Sequence, residues 1–262
     1  MFQKYRDLWD AAFYFVLFLL LQMVVMSIAQ ATSVALTGGE FTTSAKCIGS
    51  AVSSLLGIVL FAWRRWSQSS GDYVRSGLRS SLPWVVALTL GTIVPLLLLQ
   101  DLLHLELSAE DAQLFKDMAA SDYGFFALAL LAPVAEEMVF RGAVLRKLLD
   151  QVGHQRRWLA IVGSALLFAV AHGNMAQGLN ALLMGLLLGW MYSRTRNVLP
   201  GIVLHWVNNT FAFLWMKFLP QTADMTIVEL YGGDWTRVAL ATVFSLAIFL
   251  ASLYQLNTRF SR

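Results

Sequence analysis

The sequence has few charged residues for its size, since only 13% of its 262 residues are Asp, Glu, Lys or Arg. A soluble domain usually carries about 25% charged residues. Hydrophobic residues make up 58% of the chain, and they fall in long runs. The composition excludes a soluble fold and predicts a polytopic membrane protein. Basic cytoplasmic loops explain the net charge of +3 better than binding to nucleic acid does.

Cysteine and metal-binding motifs are nearly missing. Cys47 is the one cysteine, which excludes an intramolecular disulfide and a cysteine-based metal site. The absence of an HExxH sequence excludes a zincin-type protease. The chain has no tandem repeat and no low-complexity tract. Inverted repeats, which are typical of many transporters, are not visible either.

Eight apolar runs predict an all-α fold, a bundle of about eight transmembrane helices. Polar connectors divide the chain into 1–122, with three helices and an acidic segment, a core at 123–219 with four helices, and 220–262 with the last loop and helix. The predicted spans are 11–28, 48–63, 83–103, 123–145, 158–172, 179–192, 199–218 and 238–254.

The charges between these runs predict the orientation of the chain. Arg and Lys are concentrated at both ends and in the second, fourth and sixth loops, whereas the third and seventh loops are mainly acidic. Because basic loops stay in the cytoplasm, we expect both termini to be cytoplasmic. The third loop, 104–122, is predicted to form a short surface helix. The first run is predicted to be a retained span, and the alternative is a signal peptide cleaved near Ala29-Gln30-Ala31.

Span four carries charges where lipid disfavours them, by a few kcal/mol for each charge. Glu137 and Arg141 are four residues apart and share one face of a helix, so they can pair. One interpretation is a buried ion pair that fixes helix packing. Glu136 is turned by about 100° from its neighbour and is left over by that interpretation. If it faces a water-filled cavity, it can act as a base.

Polar residues on two later spans could serve as its partners. His172 ends span five, where a histidine can simply meet the negative end of the helix dipole. His205 lies in span seven, with Asn208 and Asn209 one turn further on the same side. These amides could join helices, or together with the histidine they could polarise a carbonyl. A carboxylate, two imidazoles and amides on three spans favour a buried hydrolytic or metal site.

At these residues the sequence resembles the CPBP family of intramembrane proteases, also called the Abi or Rce1-type family, which includes CAAX proteases and bacteriocin-processing enzymes. The resemblance covers about residues 130–211, and the earlier part of the chain matches only in having membrane spans. The matching segments are Glu136–Arg141 (EExxxR), Phe168–His172 (FxxxH) and His205–Asn209 (HxxxN/D).

The resemblance implies an endopeptidase whose active-site cavity lies inside the membrane and opens to the cytoplasm. It implies that Glu136 and His172 activate a water molecule, and that His205 and Asn209 stabilise the oxyanion or bind the scissile carbonyl. Glu137, paired with Arg141, would support them. The substrate would be a peptide or protein at the membrane, either prenylated and CAAX-type, or a peptide precursor, or another membrane protein.

The cofactor and two other functions stay open at this point. Glu136, His172 and His205 are enough ligands for a catalytic Zn²⁺ with an open position, but the same groups could work without metal as a glutamate-dependent site. A non-catalytic adaptor that binds peptides could keep the same fold. A proton-coupled transporter could use Glu136 as its proton site. The sequence does not indicate the oligomeric state.

Overall fold

The fold is a bundle of α-helices, seen in a computed structural model that describes residues 5–67 and 78–260. Lys4, Arg75 and Arg262, which contribute to the predicted charge pattern, lie outside the described residues. Within the described ranges there are no strands, and ten helices follow one another. Their bounds are α1 Arg6–Thr37, α2 Thr43–Trp63, α3 Leu82–Leu102, α4 Ala109–Ala120, α5 Phe125–Val152, α6 Arg157–Ala171, α7 Met175–Thr195, α8 Leu199–Phe218, α9 Ile227–Leu230 and α10 Trp235–Arg259.

Each of the eight predicted spans falls on one of these helices, and the all-α membrane fold is confirmed. By length and composition, five helices can cross a membrane: α1, α2, α3, α7 and α10. A sixth candidate is the pair α4 and α5, whose axes meet at 100°. The helices outside the set of five include α5, α6 and α8. The predicted polar residues are on these three helices or, for His172, directly after one of them.

The predicted first span is a longer helix than its apolar run. α1 continues without a break through Ala29-Gln30-Ala31 and packs against α2 and α5. The acidic loop contains the expected surface helix, α4, whose N-terminus is capped by the Ser108 side chain. On the same side of the bundle, Lys116 of α4 bonds Asp224 at 2.5 Å.

The central element is α5, which contacts α1, α2, α6, α7 and α8. It is α-helical at Ala132–Val139 and widens into π-helix on either side, at Phe125–Leu131 and Phe140–Leu145. All six residues of the second π segment are buried. Such π turns are rare and are often found at functional sites. The two carboxylates lie in the α-helical stretch between them.

α6 is the shortest of the eight span helices. Its 15 residues reach about 22 Å at 1.5 Å per residue, less than the hydrocarbon thickness of about 30 Å. The helix ends at Ala171, and Gly173 has a positive φ of 75° that turns the chain into α7. A histidine at this end of a helix that starts at the membrane interface can therefore lie inside the hydrocarbon region.

Candidate active site

A buried ion pair forms the base of the site. Arg141 Nη1 donates to Glu137 Oε1 at 2.6 Å, and the side chains are 1% and 0% exposed. The spacing of four residues places the two groups on one face of α5, as the sequence indicated. Two further donors of Arg141, Nε and Nη2, have no hydrogen-bond partner among the described residues. The pair is thus desolvated and only partly satisfied.

Glu137 of α5 also forms a hydrogen bond with His205 of α8. His205 Nδ1 lies 3.2 Å from Glu137 Oε1, the oxygen that accepts from Arg141. The close approach of α8 to α5 depends on Gly201, since a Cβ atom there would lie 2.6 Å from Glu137 Oε2. The carboxylate therefore fits only against a residue without a side chain.

Glu136 is the less buried carboxylate, with 19% of its side chain exposed. Its Oε2 lies 3.7 Å from His205 Nε2, beyond ordinary hydrogen-bond length. The two ring nitrogens of His205 thus face two neighbouring carboxylates, one through a hydrogen bond and one through a gap. That gap is between a carboxylate that is free of Arg141 and an imidazole nitrogen.

The ring of Phe168 lies among Arg141 and the two histidines of the site. The guanidinium of Arg141 lies over its ring, 4.4 Å from the centroid, which gives the poorly satisfied cation an aromatic face. The rings of His172 and His205 meet Phe168 at 4.7 and 5.7 Å, both nearly perpendicular to it. Phe140 contacts it at 4.9 Å. One ring thus contacts both histidines and the arginine.

His172 is fixed at the end of α6 by its own helix. Its Nδ1 lies 2.8 Å from the carbonyl oxygen of Phe168. A carbonyl only accepts, so Nδ1 carries the hydrogen, and Nε2 is the nitrogen left for chemistry. The histidine therefore caps the helix, as the simpler interpretation held, and still keeps one nitrogen available. Within the described residues, no hydrogen bond or ion pair joins His172 to Glu136.

Asn209 ties α8 to the first π segment of α5. Its Nδ2 donates to the carbonyl oxygen of Leu128 at 3.1 Å. Its Oδ1 accepts from Asn208 Nδ2 at 3.2 Å. Asn209 is thus a link between helices, the role that amides often have in membranes, and among the described residues the second hydrogen of its amide has no acceptor.

The three predicted zinc ligands do not converge in this arrangement. In the part of the chain that the structure describes, no group of three His, Cys, Asp or Glu side chains could hold a metal ion. Glu136 and His205 lie close together, but His172 is separated from His205 by the Phe168 ring. As placed, these side chains do not fit a three-ligand centre, and zinc dependence stays a prediction.

Residues 121–211 match the family described as type II CAAX prenyl endopeptidase, Rce1-like. This segment carries every residue of the site. The match covers about a third of the chain and is a similarity of this segment to the Rce1-like family. The resemblance seen in the three motifs is thereby confirmed, and the protein is a multi-pass membrane protein with a segment that is similar to CAAX-type proteases. No curated protein and no solved structure matches the chain.

The Rce1-like segment contains two site features to which the sequence assigned no role. Phe168 was part of a motif, but its function as the common neighbour of three polar side chains needed the structure. Gly201 had no visible signal apart from its position four residues before His205. A small residue one turn from an intramembrane polar residue could have indicated the close approach of two helices.

Proposed function

We propose that the protein is an intramembrane endopeptidase that hydrolyses a peptide bond at the site formed by Glu136, His172 and His205. The observation that carries the proposal is the gap of 3.7 Å between Glu136 Oε2 and His205 Nε2. A carboxylate free of the ion pair faces an imidazole that a second carboxylate holds in place. Carboxylate bases and oriented imidazoles are suited to hydrolysis.

In this proposal Glu136 takes a proton from a water molecule while His172 Nε2 orients it. The water oxygen attacks the scissile carbonyl and forms the new C–O bond. The Nδ1–H of His205 stays bonded to Glu137, so the donors to the oxyanion are the Nε2–H of His205 in its imidazolium form and the remaining amide hydrogen of Asn209, which stabilise the charge as it develops. The C–N bond then breaks, and Glu136 returns its proton to the leaving amine. Arg141 and Glu137 hold the imidazole in place and touch no reacting atom.

We further propose a CAAX-type prenylated peptide as the substrate, because the matching family is described as a prenyl endopeptidase. The alternative substrates are an unmodified peptide precursor and another membrane protein. The purified protein would be incubated with one peptide sequence in farnesylated and unmodified forms. Faster cleavage of the farnesylated peptide supports the CAAX substrate, and equal rates contradict it.

The catalytic assignment is tested by Glu136→Gln, which keeps the shape of the side chain and removes the base. General acid–base groups typically contribute 10²–10⁴-fold, so we expect at least a hundredfold loss of kcat with unchanged melting. His172→Ala and His205→Ala should also lose activity. Glu110→Gln, on the exposed first turn of α4, is the control. If the wild type binds peptide but never cleaves it, the adaptor hypothesis replaces this one.

The orientation is proposed from the loop charges alone, with both termini in the cytoplasm. Fusing a reporter that is active only in the cytoplasm, such as green fluorescent protein, to the C-terminus should give fluorescence in bacterial cells. A periplasmic reporter such as alkaline phosphatase at the same place should be inactive. The reverse pattern would overturn the orientation and place the site toward the other face.

A further inference from the structure

A cavity of about 780 Å³ lies between α7 on one side and the paired helices α3 and α10 on the other. Its lining is mainly Leu, Phe, Trp and Met, and Trp158 of α6 stands at its edge. None of its lining residues comes from α5 or α8, the helices of Glu136 and His205. The cavity is therefore separate from the candidate active site.

The helices on each side of this groove are packed tightly in pairs, so no single helix can shift to close the groove. α3 and α10 meet backbone to backbone, since a Cβ atom on Gly91 would lie 2.7 Å from the backbone nitrogen of Phe249. α7 packs on α6 just as tightly, and a Cβ atom on Gly185 would lie 3.0 Å from that of Ala165. Protein interiors are usually close-packed, and these two tight helix contacts explain why the bundle leaves this gap open.

The groove opens to the lipid-facing surface of the bundle. Leu246, Leu250 and Tyr254 of α10 line it, and they are 41%, 59% and 68% exposed. Along α10 the lining runs from Leu246 to Asn257, which is about 16 Å at 1.5 Å per residue. One leaflet of the hydrocarbon core is about 15 Å thick. The groove thus has the length of one acyl chain that runs from interface to midplane.

One end of the groove has the features of a membrane interface. Trp158 and Tyr254 lie there, and such side chains are enriched at headgroup level. Two arginines lie just beyond the lining at this end: Arg157 begins α6 beside Trp158, and Arg259 lies in the last turn of α10. Arg157 contacts His154 and Arg259 contacts Trp84 and Gln255, so each would offer a phosphate its remaining N–H groups. Basic pockets between membrane helices bind anionic lipid headgroups. The apolar groove and its basic end together match a single amphipathic anion.

We propose that this groove binds one acyl chain of an anionic phospholipid from the surrounding bilayer, with its phosphate against Arg157 and Arg259. A lipid is the occupant that the position favours, since the groove opens among the exposed apolar residues of α10, a helix long and apolar enough to cross a membrane. The protein binds this lipid independently of whether the candidate active site cleaves peptides.

Native mass spectrometry of protein released from nanodiscs would test the proposal. The nanodiscs would contain phosphatidylglycerol and phosphatidylcholine in equal amounts. We expect the wild type to retain one phosphatidylglycerol, several-fold above phosphatidylcholine. Leu250→Trp and, separately, Leu183→Trp fill the groove and should lose most of it, whereas Val243→Trp, on the exposed surface of α10 outside the lining, should retain it.

A second comparison tests the contact between the lipid headgroup and the two arginines. The double variant Arg157→Gln/Arg259→Gln should retain phosphatidylglycerol and phosphatidylcholine equally. The proposal is overturned if the wild type retains no lipid, or if it retains both lipids equally. It is also overturned if both groove-filling variants fold, as judged by melting, and hold as much phosphatidylglycerol as Val243→Trp.

Discussion

The buried pair of Glu137 and Arg141 gives the sharpest test of the structure. Arg141→Leu removes the guanidinium and leaves a carboxylate that is 0% exposed. Removing one partner of a buried pair usually costs about 3–5 kcal/mol, because an uncompensated charge stays behind. At roughly 2–4 °C per kcal/mol for a chain of this size, the melting temperature should fall on the order of 10 °C.

The double variant Glu137→Leu/Arg141→Leu separates folding from activity. Replacing both charges with apolar groups is often neutral or stabilising, so most of the lost stability should return. Activity should not return, because the carboxylate that holds His205 is gone. Thermal unfolding would be followed by circular dichroism in one detergent, alongside peptide cleavage.

A surface pair serves as the matched control. Arg237 Nε lies 3.2 Å from Asp234 Oδ2, with the side chains 69% and 43% exposed. Exposed pairs contribute about 0–1 kcal/mol, so Arg237→Leu should change melting by at most a few degrees. If Arg141→Leu melts like Arg237→Leu, the pair is not buried as described, and the derived geometry of the site is wrong.

Three further predictions concern the site. Phe168→Leu removes the ring that contacts Arg141 and both histidines. Small misplacements of catalytic groups can lower the rate about a hundredfold, so kcat should fall far more than KM changes. The control Phe244→Leu, at an exposed position, should leave both constants unchanged. Gly201→Ala should cost about 1–3 kcal/mol and most activity, because overpacking displaces Glu137, whereas Gly163→Ala meets no atom closer than 3.8 Å and should be tolerated. A zinc chelator should leave cleavage unchanged and elemental analysis should find no stoichiometric zinc if the site is metal-free; chelator inactivation with zinc rescue would contradict that.

The helices could be predicted from the sequence because hydropathy records them directly. The depth at which each polar residue lies could not. His172 follows an apolar run whose start and end are both visible, yet whether the helix crosses the bilayer depends on where the chain turns. Gly173 permits that turn, but a glycine after a histidine has many other uses. In the structure α6 has 15 residues and reaches about 22 Å, which is less than the hydrocarbon thickness of about 30 Å.

The ion pair of α5 was predictable for a similar reason, since residues four apart on one helix are neighbours. The contact between Glu137 and His205 spans 68 positions of sequence, and it depends on how α8 is rotated about its axis. Two π segments also change the phase of α5 on either side of its carboxylates. A count of 100° per residue does not hold through such segments, so the direction of Phe140 could not be predicted from the sequence.

These contacts change the roles that the sequence suggested for the two carboxylates. The sequence suggested that Glu137 is structural and that Glu136 acts. In the structure His205 lies between them, with Nδ1 on Glu137 and Nε2 toward Glu136. A change in the charge of the buried pair therefore alters the hydrogen bond that positions the His205 imidazole beside Glu136. The pair sets the position of a reacting group as well as the packing of a helix, which is why its loss should affect activity even where folding is restored.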